Sequence, residues 1–327
     1  MDVPKLAIVI PAYKVLYFKH VLESIANQTC LDFTLYIGID GSPDDFNDII
    51  NSYAIKIPIV HHLFSENIGE KNLVSHWERC IDLINGEEWI WLFSDDDMME
   101  STCVENFYKC LKENESHNIF HFNVSRINEY NDAIESCQTF PNILSSNDFL
   151  AGRLKGILSS YAIEYIFKKE YFIENKRFQN FDLAWGSDDA TWIKLAKKTG
   201  IKTIENSSVY WRKSRFNIST NKRNKNIILR KLYSQIQFSK WAIEIAKNQE
   251  ISIETNILRE LLEQWFMKSL KQSIRFFSFK NLVSILDDFY IAVNNKNRYT
   301  KEILFIYYYK CYRSIIELLK KHILNKY

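Results

Sequence analysis

The chain has 327 residues, 46% of them apolar and 25% charged, a composition that excludes intrinsic disorder and collagen-like repeats. Its net charge of +2 hides an asymmetry: residues 1–200 hold 18 Lys+Arg against 30 Asp+Glu, whereas residues 201–327 hold 24 against 10. All 8 glycines and all 5 prolines also fall at or before Gly200, so two regions with different work are expected.

The opening MDVPKLAIVIPAYK puts no basic segment ahead of a short apolar run broken by Pro11, so no secretory signal is expected. No uncharged apolar run approaches the ~18–20 residues that a spanning helix needs, residues 303–309 being the best stretch. Cys30, Cys80, Cys103, Cys110, Cys137 and Cys311 form no C-x-x-C pair and no zinc spacing. They are expected to be reduced and mostly buried, as in a cytosolic protein.

In chain order, residues 6–10 (LAIVI) read as a strand buried on both faces and ended by Pro11. Residues 19–27 follow with helical apolar spacing. Residues 33–39 (FTLYIGI) form a second predicted strand, stopped by the turn Asp40-Gly41-Ser42-Pro43. Residues 57–63 give a third strand and residues 73–84 a helix with Leu73, Trp77, Cys80, Ile81 and Ile84 on one stripe. Residues 89–93 (WIWLF) give a fourth strand that runs into Ser94-Asp95-Asp96-Asp97. Strands alternating with helices predict an α/β fold with a mainly parallel central sheet. From about Asn226 the spacing is purely helical, over residues 227–247, 255–277, 281–294 and 300–326. The expected organisation is an α/β domain over residues 1–222 and an all-α region over residues 223–327.

In parallel sheets, ligands bind beyond the carboxyl ends of the strands, at the topological switch point. Three predicted strands end in chemically suggestive residues, Pro11-Ala12-Tyr13, Asp40 and Asp95-Asp96-Asp97, which places one site at their common edge. Three adjacent carboxylates after so apolar a strand suit a hard divalent cation, Mg²⁺ or Mn²⁺; by itself the triplet reads equally well as a solvated acidic turn. Asp40 by itself reads first as turn chemistry. Asp188 and Asp189 open a predicted helix ended by Gly200, where the helix dipole accounts for them structurally; the functional alternative is a general base. Arg212 and Lys213, in the run YWRKSR, either neutralise a diphosphate or form a solvated basic loop. No nucleic-acid motif is present, and the predicted cleft is acidic, so nucleic acid is not an expected partner. The missing G-x-x-x-x-G-K-[ST], G-x-G-x-x-G and G-x-S-x-G patterns argue against a P-loop enzyme, a dinucleotide oxidoreductase and an α/β-hydrolase.

The succession LAIVIPAYK, VLESIANQTCLDFTLYIGIDGSPDD, SENIG, EEWIWLFSDDDMM, WGSDDATWIKLAKKTG and VYWRKSRFNIS resembles the family 2 glycosyltransferases over about the first 220 residues. The resemblance implies a GT-A nucleotide-binding fold, a nucleotide-sugar donor (a UDP-sugar first among the candidates), a divalent metal and inversion at the anomeric carbon. Carried over by motif, Pro11, Ala12, Tyr13 and Asp40 hold the base and ribose. Asp95 adjoins the donor, Asp96 faces ribose and metal, and Asp97 coordinates the metal. Asp188 takes the place of the catalytic base with Asp189 beside it, and Arg212 lies in the segment that closes over the diphosphate. Lys14, Ile39, Ser94 and Ser187 depart from the family pattern, and Lys71 stands in for an absent arginine-asparagine pair.

The implied acceptor is a hydroxyl of a glycan or lipid-linked glycan in surface polysaccharide synthesis. The implied location is cytoplasmic, peripheral at the inner membrane face, with the aromatic-rich residues 303–312 and the basic end Lys320-Lys321-His322 meeting lipid, the acceptor or a second copy of the chain; the equal alternative is a helical subdomain that packs on the catalytic domain with a solvated basic face. The alternative from another class is a catalytically idle donor-binding or scaffolding subunit. A nucleotidyltransferase is the weaker rival.

Overall fold

The computed structural model describes residues 5–221, 223–294, 302–310 and 312. The strands are β1 (Leu6–Ala12), β2 (Phe33–Ile39), β3 (Ile59–Leu63), β4 (Trp89–Leu92), β5 (Met98–Met99), β6 (Ile119–Ile127), β7 (Ala133–Ser136), β8 (Ile143–Leu144), β9 (Tyr165–Lys168) and β10 (Ile201–Arg212). The helices are α1 (Phe18–Ala26), α2 (Asn47–Ala54), α3 (Leu73–Ile81), α4 (Cys103–Glu113), α5 (Ser146–Lys155), α6 (Lys169–Glu174), α7 (Ser187–Leu195), α8 (Lys225–Lys247), α9 (Thr255–Ser273) and α10 (Phe279–Ala292).

One sheet runs in the order β3-β2-β1-β4-β9-β6-β10-β5, with β7 on β6 and β8 on β10. The pairs β3–β2, β2–β1, β1–β4 and β6–β10 are parallel, while β9 runs antiparallel to both β4 and β6. The fold is therefore α/β with a mostly parallel centre, as read from the sequence. From β1 the chain steps to β2 and β3 on one side and returns to β4 on the other. That reversal is the topological switch point, and it opens a crevice over the carboxyl ends of β1 and β4.

The apolar run of β1 works because successive side chains enter opposite faces. Ala7 and Val9 join one core with Ile90, Leu92, Phe167 and Trp192; Leu6, Ile8 and Ile10 join another with Trp91, Phe120 and Phe122. Each such side chain removed from water contributes roughly 1.5–3 kcal/mol. The first core continues without a break into α8, α9 and α10, through Leu232, Phe238, Leu262, Phe266, Leu286 and Phe289.

The helical region thus shares the core of the sheet. Of its helices, α8 and α10 start on side-chain caps, Asn224 accepting from the N–H groups of Asn226 and Ile227, and Ser278 from Asn281. Residues 302–310 are helical too; the rest of the stretch read as residues 300–326, including Lys320-Lys321-His322, lies outside the described residues. Among the described residues no helix is long and apolar enough to cross a membrane. The five described cysteines are free, with Cys80 and Cys103 buried and the other three half-buried.

β10 is irregular. Ile204 pairs with Phe122 and Ser208 with Asn123, so four steps along β10 match one along β6. Residues 205–207 bulge out of the ladder, Asn206 taking a φ of 63°.

Candidate active site

Because β1 and β4 are parallel neighbours, their carboxyl ends open at the same edge. There Asp95 Oδ2 accepts the main-chain N–H groups of Tyr13 (2.7 Å) and Lys14 (2.8 Å). The N–H of Asp40 donates to Ala12 O (2.9 Å), and Ser42 Oγ donates to Tyr13 O (2.6 Å). The three strand ends singled out in the sequence, Pro11-Ala12-Tyr13, Asp40 and the acid turn, are laced together by these bonds.

Within the turn, Ser94 Oγ bonds Asp97 Oδ2 (2.6 Å) and Asp96 Oδ1 (3.1 Å), so this serine ties two acids into one unit. Asp97 is buried and also accepts the N–H of Arg212 (2.6 Å). The Arg212 side chain, fully buried, donates from Nε to Asp96 O (2.6 Å) and from Nη1 to Asn128 O (2.9 Å), and lies over the ring of Tyr17 at 4.5 Å. Burial, and next the charge of Asp95, push Asp96 up to about 6. Burial and then the charge of Asp96 push Asp97 well above the usual carboxylate range. Asp95 is likewise raised, by burial first.

These acids are crowded together, Asp97 buried and Asp95 and Asp96 half-buried. Arg212 Nη2, for its part, is buried with no partner among the described residues. That donor set fits a divalent cation with a diphosphate: Mg²⁺ takes one or two carboxylates and fills its remaining positions from phosphate and water. Asp96 and Asp97 can supply the carboxylates. Among the described residues no group of three His, Cys, Asp or Glu forms a cage for a metal by itself.

Asp40 sits at the end of β2 with only 2% of its surface exposed. Its Oδ1 accepts the N–H of Ile68 (3.0 Å) and its Oδ2 that of Gly69 (2.9 Å), and the Arg79 guanidinium closes on Oδ1. Arg79 lies over Phe64, 3.8 Å from the ring centroid, and donates to Glu66 O (3.0 Å). Residues 66–69 are thereby clipped to the strand end. The clip needs glycine twice: a Cβ on Gly69 would meet Asp40 Oδ2 at 2.5 Å, and one on Gly41, at φ +58°, would meet the Asn67 N at 2.8 Å. The acid read as a nucleotide ligand therefore has both oxygens engaged inside the protein. Lys71 is exposed at the start of α3, and the cation that meets Asp40 is Arg79, two turns further on.

Asp188 and Asp189 open α7 as expected, but their surroundings differ. Asp189 is buried and held by Arg153, whose Nε lies 3.0 and 2.9 Å from the two carboxylate oxygens and whose Nη2 lies 2.9 Å from Oδ2. Asp188 is half-buried and takes no side-chain hydrogen bond among the described residues. Burial, then the neighbouring Asp189 charge, push it up to about 7. Ser187, where the family pattern has an acid, is buried and accepts the N–H of Phe181 (2.9 Å). Its role is to shape the turn.

The loop ahead of α7 is strained: Leu183 and Ala184 both have positive φ (57° and 53°), a conformation that costs roughly 1–3 kcal/mol each. α8 holds it in place. Arg230 pairs with Asp182 through two bonds (2.9 and 2.7 Å), Ser234 Oγ donates to Trp185 O (2.8 Å), and Phe238 packs against Gly186, whose φ of +85° suits glycine.

Sequence reading missed Arg79, Arg153 and Arg230. No motif spacing marks them. The available signal was weaker: each is an arginine on a helix that must cover an acid at a strand or helix end.

Residues 7–166 match the family model described as "Glycosyl transferase family 2". An uncharacterized glycosyltransferase of Rickettsia felis is 26% identical over 211 residues, 62% of this chain and 32% of the relative. A PGL/p-HBAD biosynthesis glycosyltransferase of Mycobacterium bovis is 29% identical over 125 residues, 35% of this chain and 44% of the relative. The chain thus spans less than half the length of these curated relatives. The crystal structure of S. aureus TarS 1-349 in complex with UDP-GlcNAc superposes over 89% of this chain and 90% of that one, with TM-score 0.57 and 11% identity. The same protein with UDP gives TM-score 0.52 and 12% identity. The chain is thus built on a GT-A-type fold, and its residues 7–166 carry the match to glycosyl transferase family 2.

Proposed function

We propose that the protein is an inverting glycosyltransferase that moves a sugar from a nucleoside-diphosphate sugar to a hydroxyl of a glycan or lipid-linked glycan. The observation that carries this reading is the asymmetry of the acid pair opening α7. Asp189 is committed to Arg153, whereas Asp188 has no side-chain partner among the described residues, only main-chain N–H groups of its own turn, and is pushed up to about 7. A base of that strength both exists as carboxylate near neutrality and accepts a proton readily.

Asp188 takes the proton of the acceptor hydroxyl as the acceptor oxygen bonds to the anomeric carbon. The bond from that carbon to the diphosphate oxygen breaks on the opposite side, and the nucleoside diphosphate leaves with the electron pair. Asp96 and Asp97 would hold Mg²⁺ or Mn²⁺, which when bound supplies neutralisation of the diphosphate charge. Arg212 is fixed beside them, its buried Nη2 without a partner among the described residues and directed by the same bonds that hold the acid turn. The main-chain turn Pro11-Ala12-Tyr13, pinned to Asp95, and the clipped loop 66–69 form the walls for the base and ribose.

A UDP-sugar is the first donor to test, since TarS, which shares the fold, is described with UDP-GlcNAc and UDP. Transfer or hydrolysis assays across a panel of nucleotide sugars with Mn²⁺ decide the matter. Turnover of one donor is expected. Tight donor binding with no turnover of any would instead make the chain a donor-binding subunit.

The finer setting is the cytoplasmic membrane face, in surface polysaccharide synthesis. What supports it is the aromatic surface of the last described helix, where Phe305, Tyr307, Tyr308 and Tyr312 are exposed and Lys271 lies 4.9 Å over the Phe305 ring. Such a mixture suits an anionic lipid interface. Flotation with anionic vesicles at low salt tests it, and a protein left entirely in solution rejects it.

A further inference from the structure

We infer that Arg153 is a positioning residue for the transfer reaction: by clamping Asp189 it leaves Asp188 as the one acid of the pair that can accept a proton. This rests on the reading of Asp188 as the base.

The clamp is built, beginning with two glycines. α5 ends at Gly156, which takes the left-handed conformation (φ +70°) and sends its N–H back to Arg153 O (3.0 Å). The N–H groups of Ile157 and Leu158 then fold back on Gly152 O at 2.9 and 3.2 Å. That return is possible because Gly152 has no side chain; a Cβ there would come within 2.5 Å of Leu158 Cδ1. Leu158 O is delivered to Arg153 Nη1 at 2.7 Å, leaving Nε and Nη2 directed at Asp189. A guanidinium held at its far nitrogen and spread across a carboxylate in this way has one orientation.

The chemistry follows from charge. Two adjacent carboxylates in one half-buried turn cannot both ionise cheaply. With Asp189 paired to Arg153, the proton-accepting role falls to Asp188, which the Asp189 carboxylate pushes up while Arg153 moderates that rise. The other groups near the pair are accounted for. Glu164, just before β9, is buried, which pushes its carboxyl well above the usual carboxylate range, and the Tyr165 hydroxyl is bonded to Ser160 Oγ (2.9 Å). On α8, Arg230 is spent on Asp182, and Lys231 lies over the Trp185 ring.

The test is the pH dependence of turnover in the full chain, read beside donor binding. Arg153→Gln leaves the Asp189 charge uncompensated, so the acid limb of the profile should rise by about one pH unit. From a starting value of about 7, that leaves about a tenth of Asp188 ionised at pH 7 instead of about half, a roughly fivefold loss. Asp189→Asn should move the limb the opposite way, and the double variant should return it to the wild-type position or below. Arg153→Lys, which keeps the charge and loses the fork, should give a smaller rise. Should Arg153→Gln fail to fold, judged by lost donor binding, Asp189→Asn and Arg153→Lys still decide. An acid limb that stays in place in every folded variant overturns the inference, because a merely structural arginine would lower the rate without moving it. A wild type that turns over no donor overturns the functional reading beneath it.

Discussion

The main-chain N–H of Arg212 donates to Asp97 Oδ1 at 2.6 Å, joining the last residue of β10 to the acid turn after β4 across 115 positions of sequence. The bond aligns an arginine and a pair of carboxylates around the place where a diphosphate and its cation would sit.

Replacing Asp97 by Ala should weaken donor binding in the presence of Mn²⁺ by tenfold or more, while binding without the metal changes little. Titration of a UDP-sugar by calorimetry with and without Mn²⁺ measures this. Equal metal dependence in variant and wild type would remove Asp97 from the metal assignment.

Asp188→Asn should reduce transfer by at least 10²-fold, in line with the loss of a general base, and leave donor binding intact. The wild-type rate should fall as pH drops through about 7, because the carboxylate that accepts the proton is itself titrated there. A flat profile between pH 5.5 and 8 contradicts this.

Arg79→Ala strips the nearly buried Asp40 of its cation and frees residues 66–69. Breaking such a pair costs roughly 3 kcal/mol, seen as a lower urea midpoint, and the loosened loop should raise the KM for donor. Unchanged stability would mean that the N–H groups of Ile68 and Gly69 suffice for Asp40.

His76, beside the same clip, is lowered to about 4 by burial, against the pull of Asp40. Between its ordinary value of 6.5 and about 4 the unfolded chain binds a proton that the folded chain refuses, so this contribution to stability is present above pH 6.5 and lost as pH falls. His76→Gln should flatten the dependence of unfolding free energy on pH in that window by up to about 1.4 kcal/mol per pH unit. Urea melts from pH 4.5 to 7 provide the slopes.

Arg230→Ala should separate rate from stability. The pair with Asp182 is about a third exposed and contributes no more than about 1 kcal/mol to folding. It steadies the strained loop that presents Asp188, so kcat should fall several-fold with the donor KM nearly unchanged. A loss confined to KM would show that α8 acts on something other than the base.

Much of the donor half was legible because the relevant signals are local. FTLYIGI followed by DGSP marks β2 to the residue, and WIWLF running into three aspartates marks the end of β4 and its acids. The stretch from Met98 to Gly186 was not legible. β9 is four residues long and lies between β4 and β6 through antiparallel pairing alone, a choice made by packing rather than by its own sequence. The three arginines that pair with Asp40, Asp189 and Asp182 share that obscurity. A salt bridge across 36 to 48 positions leaves no periodicity to read.

The bulge at residues 205–207 has a consequence for parity. Ile204 and Val209 are five residues apart, yet both enter the same core, on the face shared with Phe122 and Val124. In an unbroken strand an odd separation would put them on opposite faces. The extra three residues act as a half-turn key: the near end of β10 is seated in one phase, the far end in the other, and Arg212 meets the acids because of that inversion. The number of residues in the bulge therefore sets the phase of the far end of β10. Losing one of them would turn Val209 out of the core and Arg212 away from Asp97 together.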